Sequence, residues 1–183
     1  MWKHLNNNEG HGHHNIIKHS NRPFASLNEM HAVLVSNWNS VVAKTDEIYI
    51  LGDLAYKGQP EQVNQIIKRL NGVKHLIRGN HDHFVDKPEF DQSVFASIKD
   101  YDVVAYKDAR FVLFHYPILE WAHFHRKSAH LYGHVHNNVS HDPELSDRLS
   151  VPGPRAINVG VDCNDLRPIS AEEVYIKAFP PTA

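Results

Sequence analysis

The spacing of apolar positions changes from a helical to a strand period early in the chain. Ser26-Leu27-Asn28-Glu29 is a capping box, in which serine and glutamate satisfy each other's free backbone donors at a helix start. The sequence therefore predicts a helix from Ser26 to about Val42. The apolar run that follows, Glu47 to Leu51, ends at Gly52 and predicts a short buried strand.

A second helix and a second strand follow in the same order. Pro60 suits the first position of a helix, apolar residues follow it at helical spacing, and Gly72 lies just past the end. Val73 to Ile77 predicts the next strand. Together these segments form a βαβ unit, which predicts a right-handed crossover and a largely parallel sheet.

The second half of the chain predicts further strands and a change of sheet type. Val103 to Tyr106 and Phe111 to Phe114 flank Lys107 to Arg110, which indicates a hairpin and therefore a mixed sheet. Asn137 to Arg155 is polar, carries prolines and shows no period, so we predict a surface loop. The remaining predicted strands are Ala129–Tyr132, Ala156–Val161 and Val174–Phe179.

Composition and charge limit the classes of protein to which the chain can belong. The 183 residues predict a single domain, 1–183, in which 1–14 form an atypical N-terminal segment. A net charge of −2 provides no extended positive field, which argues against stable nucleic-acid binding. The apolar runs are far shorter than the roughly 18 residues of a membrane span. The single cysteine, Cys163, excludes an internal disulfide, so we expect a soluble, cytoplasmic protein.

Histidine is the outlier of the composition, with 16 residues, and it is the commonest metal ligand in proteins. Polar side chains follow several of the predicted strands. Side chains at the carboxyl ends of strands in an α/β sheet converge on one crevice, which predicts a metal site there. Its expected ligands are Asp53, Asn80, His115, His134 and His136.

The types of ligand atom limit which metal the site would bind and which reaction it would serve. One carboxylate, one amide and three imidazoles suit Mn, Fe or Zn better than a metal that selects thiolates. His134 and His136 are two residues apart and point the same way on an extended segment, while Asp53 can bridge two ions about 3.5–4 Å apart. We expect two divalent transition-metal ions that serve phosphoryl chemistry, with Mn²⁺ as the first choice and Fe, Zn or Ni as alternatives.

The sequence resembles the calcineurin-like metallophosphoesterases in four ordered motifs: Gly52-Asp53, Gly79-Asn80-His81-Asp82, His115 before Tyr-Pro, and Gly133-His134-Val135-His136. The similarity extends to a small bacterial and phage branch over roughly residues 15–178. The resemblance implies an α/β fold, a four-layer α/β/β/α sandwich of two mixed sheets with flanking helices.

The resemblance also implies how the metal ligands divide. Asp53 would bridge the two ions. Asn80, His115 and His134 would bind one ion, and His136 would bind part of the second. A metal-bound hydroxide would then attack phosphorus.

Catalytic roles are expected for side chains next to these ligands. The resemblance assigns His81 as the general acid that protonates the leaving oxygen, a role that suits an imidazole at neutral pH. A guanidinium fork matches phosphate oxygens, so Arg78, and with it Arg22, is expected to hold the phosphate. Asp82 is expected to orient a neighbour rather than to bind metal.

The N-terminus departs from the family pattern, which opens with an apolar strand ending in Asp-x-His. Gapless counting places Asn8 and Gly10 at those two positions. A shift of one residue gives Glu9 and His11 as metal ligands at the right spacing, with His13 as a further alternative. A rebuilt site, a site with one good metal, or an altered reading frame or start would each explain the difference.

Three functions remain open from the sequence. The leading hypothesis is a dinuclear hydrolase of a small phosphorylated substrate, either a phosphomonoester or a phosphodiester. The alternatives are a metal-binding but catalytically impaired interaction scaffold of the same fold, and a histidine-rich metal buffer. The loop from Asn137 to Arg155 is the candidate specificity element because it leaves directly from His136.

Overall fold

The computed structural model describes residue 17 and residues 20–56, 58–136 and 155–181. Within these residues the chain forms three α-helices of eight residues or more and seven strands in two sheets. The helices are α1 (Leu27–Val41), α2 (Pro60–Ile67) and α3 (Ala171–Ala178). The strands are β1 (Glu47–Ile50), β2 (Val73–Ile77), β3 (Ser97–Lys99), β4 (Tyr101–Tyr106), β5 (Ala109–Phe114), β6 (Ser128–Tyr132) and β7 (Ala156–Asn158).

The first sheet has the strand order β1-β2-β3 and is parallel throughout its described strands. β1 and β2 pair from Glu47 opposite Val73 to Ile50 opposite Leu76, with α2 between them in the chain, as the βαβ pattern predicted. The sequence did not predict β3, because its three residues are too few to show a period.

The second sheet has the order β4-β5-β6-β7 and is mixed, as predicted. β4 and β5 form the antiparallel hairpin, while β5-β6 and β6-β7 are parallel. Tyr106 pairs with Ala109, so the connection is the two residues Lys107 and Asp108 and is shorter than the predicted turn. Lys107 has a φ of 51° there, which is typical of tight hairpin turns.

The predicted strand Val174–Phe179 is wrong, because this segment belongs to helix α3. Ser170 and Glu173 form a complete capping box: Ser170 Oγ accepts the Glu173 N–H, and the Glu173 carboxylate accepts the Ser170 N–H. Val174 and Ala178, one helical turn apart, are both buried. A short apolar run fits either period, and the cap decides in favour of a helix.

The predicted strand Ala156–Val161 is too long. β7 ends at Asn158, and Val161–Cys163 forms a single 3₁₀ turn. The Asn158 side chain accepts the Gly160 N–H at 2.9 Å, which turns the backbone away from the sheet.

Two apolar clusters hold the elements together. One joins α1 and α2 to the first sheet and includes Leu34, Trp38, Ile67 and Leu76. The other joins the carboxyl ends of β1 and β2 to the second sheet and α3, where Leu51 and Ile77 meet side chains that include Phe111, Leu131 and Val174. The result is the mixed α/β fold of two sheets with flanking helices that the sequence predicted. No helix among the described residues is long and apolar enough to cross a membrane.

Candidate metal centre

Two glycine-containing loops bring the ends of β1 and β2 into direct contact. A Cβ added at Gly52 would lie 2.4 Å from the Gly79 backbone nitrogen, and one added at Gly79 would lie 2.5 Å from both the backbone nitrogen and Oδ1 of Asp53. Gly52 also has a φ of 75°, which glycine adopts without strain. Both positions therefore require glycine if Asp53 is to approach the second loop.

The buried carboxylate of Asp82 fastens these loops to each other. It accepts backbone N–H groups from Asp53 at 2.8 Å, Leu54 at 2.7 Å and Gly79 at 2.8 Å. Burial raises the pKa of Asp82 to about 6, against the lowering effect of the N–H donors. Asp82 thus positions the backbone on both sides of the site.

Four predicted ligands lie together where the two sheets meet, and we call them the donor cluster: Asp53, Asn80, His115 and His134. The ligand atoms of Asp53, His115 and His134 all lie within 4.8 Å of one another. Asn80 Oδ1 lies 3.1 Å from both His115 Nε2 and His134 Nδ1. His115 Nε2 lies 3.3 Å from Asp53 Oδ2, and both side chains are fully buried.

The hydrogen bonds around the donor cluster fix which atoms carry lone pairs. His115 Nδ1 lies 2.8 Å from the Leu51 carbonyl, so it must donate, and Nε2 of the neutral ring then carries the lone pair. The Asn80 amide nitrogen donates to His81 Nε2 at 2.9 Å, which turns Asn80 Oδ1 toward the cluster. Carboxylate oxygen, amide oxygen and imidazole nitrogen therefore face one another as electron-pair donors, and a divalent cation fits such a set.

The backbone is held in an unusual conformation at three site positions. Asp53, His134 and His136 have φ values of 55°, 61° and 53°. Residues other than glycine rarely occupy this left-handed region, at a cost of about 1–3 kcal/mol each. The surrounding loops must offset this strain, and no sequence pattern indicated it.

His81 lies between the donor cluster and an open pocket. Its backbone N–H donates to Asp53 Oδ1 at 2.9 Å, and the edge of Tyr56 packs against its ring with centroids 4.8 Å apart. The pocket has a volume of about 680 Å³, and its lining includes His81, Phe84 and Lys87. The His81 ring therefore has access to a space large enough for part of a small molecule.

His136 lies beyond the donor cluster and has a different set of partners. Among the described residues, the mutually close ligand atoms are those of Asp53, His115 and His134 and do not include His136. Its Nδ1 lies 2.8 Å from Asp162 Oδ2. The role of His136 as a ligand stays a prediction.

Arg22 is not available for phosphate, so that expectation is wrong. Its side chain is fully buried, and Nε and Nη2 donate to the two carboxylate oxygens of Asp162 at 2.7 and 2.9 Å. Burial raises the pKa of Asp162, but hydrogen bonds from His136 and Arg22 outweigh burial and hold this pKa well below its usual range. The sequence did not predict a role for Asp162.

The other predicted site residues have other partners or lie outside the described residues. Arg78 Nη1 donates to both carboxylate oxygens of Asp86 at 2.9 Å, and a third of the Arg78 side chain is exposed. Glu9 and His11 lie outside the described residues, as does most of the predicted loop from Asn137. The roles of Arg78, Glu9 and His11 stay predictions.

The model of the calcineurin-like phosphoesterase superfamily domain matches residues 25–168. The chain therefore belongs to this superfamily, which confirms the resemblance seen in the sequence.

The chain is similar to several individual proteins over most of its length. The chain is 33% identical over 162 residues to an uncharacterized protein of Methanocaldococcus jannaschii, covering 87% of this chain and 81% of the relative. It is 27% identical to the Gene 66 protein of Mycobacterium phage D29, covering 74% and 77% of the two chains. The crystal structure of a protein of unknown function from Aquifex aeolicus is similar with a TM-score of 0.66 and 27% identity, covering 89% of this chain and 91% of that one. The phage relative fits the predicted small bacterial and phage branch.

Proposed function

We propose that this protein is a dinuclear metal-dependent hydrolase that cleaves a small phosphate ester. The donor cluster supports this proposal most directly. His115 Nε2 lies 3.1 Å from Asn80 Oδ1 and 3.3 Å from Asp53 Oδ2, and a divalent cation is the natural occupant of such a set of donors. Membership of the phosphoesterase superfamily supports the same class of reaction.

The proposed metal ions are two, with Mn²⁺ as the first choice. The donor cluster would hold one ion, Asp53 would be shared with the second, and His136 would contribute to the second. Glu9 and His11 are proposed to complete the ligand set. When bound, the ions would activate a water molecule and offset the charge that develops on the phosphoryl oxygens.

His81 is the proposed general acid. The Asn80 amide donates to its Nε2, so the proton of the neutral ring is on Nδ1. The leaving group would occupy the pocket of about 680 Å³ beside His81, where the imidazolium form of the ring would donate a proton to the departing oxygen and become neutral. The backbone bond to Asp53 Oδ1 fixes the distance between this acid and the metal ligands.

Arg78 is proposed to bind a phosphoryl oxygen. It would do so by exchanging the Asp86 carboxylate for the substrate. The free energy lost with the Asp86 contact is small, because the ion pair is partly exposed. The loop that follows β2 would then supply both the residue that binds the phosphoryl group, Arg78, and the general acid, His81.

The experiment is hydrolysis of bis-(p-nitrophenyl) phosphate and p-nitrophenyl phosphate with and without Mn²⁺. The test variant is Asp53→Asn, and the matched control is Asp108→Asn, which changes an exposed carboxylate paired with Lys127. We expect Mn²⁺-dependent turnover in the wild type and the control and its loss in Asp53→Asn. The ratio of the two rates ranks diester against monoester.

Absence of turnover from folded protein that binds Mn²⁺ would overturn the proposal. The interaction scaffold of the same fold would then be the better interpretation. The stoichiometry of Mn²⁺ binding, measured on the same samples, separates a protein that fails to bind metal from one that binds metal without catalysis.

A further inference from the structure

His136 is held at several points by the segment from Asn158 to Cys163. The Asp162 carboxylate contacts its ring, and the Cys163 thiol donates to its backbone carbonyl at 3.3 Å. Asn158 donates its side-chain amide to the same carbonyl. These contacts fix a residue with a φ of 53°, a conformation that histidine seldom adopts without support.

The contact with Asp162 determines where the His136 ring can carry a proton. Asp162 Oδ2 accepts from His136 Nδ1 at 2.8 Å, so Nδ1 bears the hydrogen. In the neutral ring, Nε2 is then the nitrogen without a hydrogen. A carboxylate on the far nitrogen also increases the basicity of an imidazole ligand.

Arg22 fixes the carboxylate in turn. Its Nε and Nη2 engage both oxygens of Asp162, and the three side chains of Arg22, Asp162 and His136 are 0%, 4% and 5% exposed. A doubly hydrogen-bonded guanidinium leaves the carboxylate one orientation, in which Oδ2 meets the imidazole. Arg22 and Asp162 are 140 residues apart in the chain, so the fold alone brings them together.

We propose that Asp162 is a positioning residue that holds His136 in the tautomer whose Nε2 can ligate a metal ion, and that Arg22 orients Asp162 for this task. The inference rests on the proposed function, because His136 is a proposed ligand of the second ion. It adds to the site two residues, Asp162 and Arg22, that support a ligand without binding metal themselves. Arg22 then has this role in place of the expected contact with phosphate.

The first test is the tautomer of His136 in metal-free protein. Protein labelled with ¹⁵N-histidine is observed by long-range ¹H–¹⁵N correlation, and the His136 signal is identified by its loss in His136→Gln. We expect the Nδ1–H tautomer in the wild type. In Asp162→Asn the amide can donate to Nδ1, so we expect a shift toward the Nε2–H tautomer. An unchanged tautomer would overturn the inference.

The second test is a double-mutant cycle read by Mn²⁺ affinity. Asp162→Asn should weaken one of the two Mn²⁺ sites by about 10–100-fold, the range found for outer partners of metal-bound histidine. In a His136→Ala background the same substitution should have no further effect. An equal loss in both backgrounds would mean that Asp162 acts only by stabilising the fold.

Two further samples keep these tests decisive. Arg22→Met combined with Asp162→Asn removes both buried charges, and it serves if the single variant does not fold with Arg22 left unpaired. Asp108→Asn is the exposed control and should change neither readout. If wild-type protein binds no Mn²⁺, the proposed function fails, whereas the tautomer measurement still decides the role of Asp162.

Discussion

Asn80 Oδ1 and His115 Nε2 lie 3.1 Å apart with a lone pair on each atom. When the His115 ring is neutral, neither atom carries a hydrogen, because His115 donates from Nδ1 to Leu51 and Asn80 donates from Nδ2 to His81. A cation attracts both lone pairs and can take the place of a hydrogen donated by His134 Nδ1, which lies 3.1 Å from Asn80 Oδ1 and 3.2 Å from His115 Nε2. A bound cation is therefore expected to stabilise the folded protein.

Mn²⁺ should raise the melting temperature. At a concentration of 100 times the dissociation constant, one ion contributes about 2.7 kcal/mol to the free energy of unfolding. For a chain of this size that corresponds to roughly 5–10 °C. Differential scanning calorimetry with Mn²⁺ and with EDTA measures the shift. Asn80→Ala should reduce it strongly, whereas the exposed control His125→Ala should retain it. Equal shifts in both variants would place the ion elsewhere.

Gly79→Ala should destabilise the fold and loosen the site. The added Cβ would lie 2.5 Å from the backbone nitrogen and the carboxylate of Asp53, and a backbone neighbour cannot simply rotate away. We expect a loss of about 1–3 kcal/mol in the free energy of unfolding, measured by urea denaturation. Gln59→Ala, at an exposed position with no side-chain cap, should stay within about 0.5 kcal/mol of the wild type. An unaffected Gly79→Ala would contradict the close approach of the two loops.

The start of helix α3 should lose stability in acid. The Arg167 ion pair, together with hydrogen bonds from Ser170, lowers the pKa of Glu173 to about 2 from its ordinary value of 4.5. A folded-state pKa below the unfolded value contributes stability that is present above pH 4.5 and is lost as the pH falls toward 2.

Glu173→Gln is the variant that isolates this contribution. It should be less stable than the wild type above pH 4.5, and the difference should shrink between pH 4.5 and pH 2. Urea denaturation across this range measures it, with the exposed Glu120→Gln as the control. A difference that is constant with pH would show that the charge of Glu173 is not involved.

His81→Ala should separate esters by the quality of their leaving groups. An alkyl phosphate releases a poorly stabilised alkoxide, so loss of the general acid should slow its hydrolysis by about 10²–10⁴-fold. A p-nitrophenyl ester needs less protonation and should be slowed far less. Steady-state kinetics on both esters measures the ratio, and His125→Ala should leave both rates unchanged. If His81→Ala lowered the hydrolysis rates of the two esters by the same factor, His81 would not be the general acid.

The sequence predicted the elements whose period is uninterrupted and bounded by glycine or proline. The strand before Gly52 and the helix that opens at Pro60 both appear in the structure, because local signals and tertiary packing agree there. The sequence predicted a strand at Val174–Phe179, where the structure has most of helix α3, since a short run with a few apolar positions fits both periods. Only the Ser170–Glu173 cap distinguished them.

The same contrast holds for the candidate site. Asp53, Asn80, His115 and His134 each follow a strand, so their convergence could be anticipated from the order of the motifs. The pairing of Arg22 with Asp162 could not, because a contact between residues 140 positions apart leaves no periodic signal in a single sequence. Arg22 has a guanidinium group that could bind phosphate, but the side chain is buried and is paired with Asp162 instead.

The donor cluster spans the two halves of the molecule. Asp53 and Asn80 follow strands of the first sheet, whereas His115 follows a strand of the second and His134 comes just after its neighbour. A cation bound among them would tie one sheet to the other, in a chain whose single cysteine cannot form an internal disulfide. The ion would then cross-link the two sheets in addition to its part in the reaction. The force needed to pull the sheets apart would depend on whether the ion is bound.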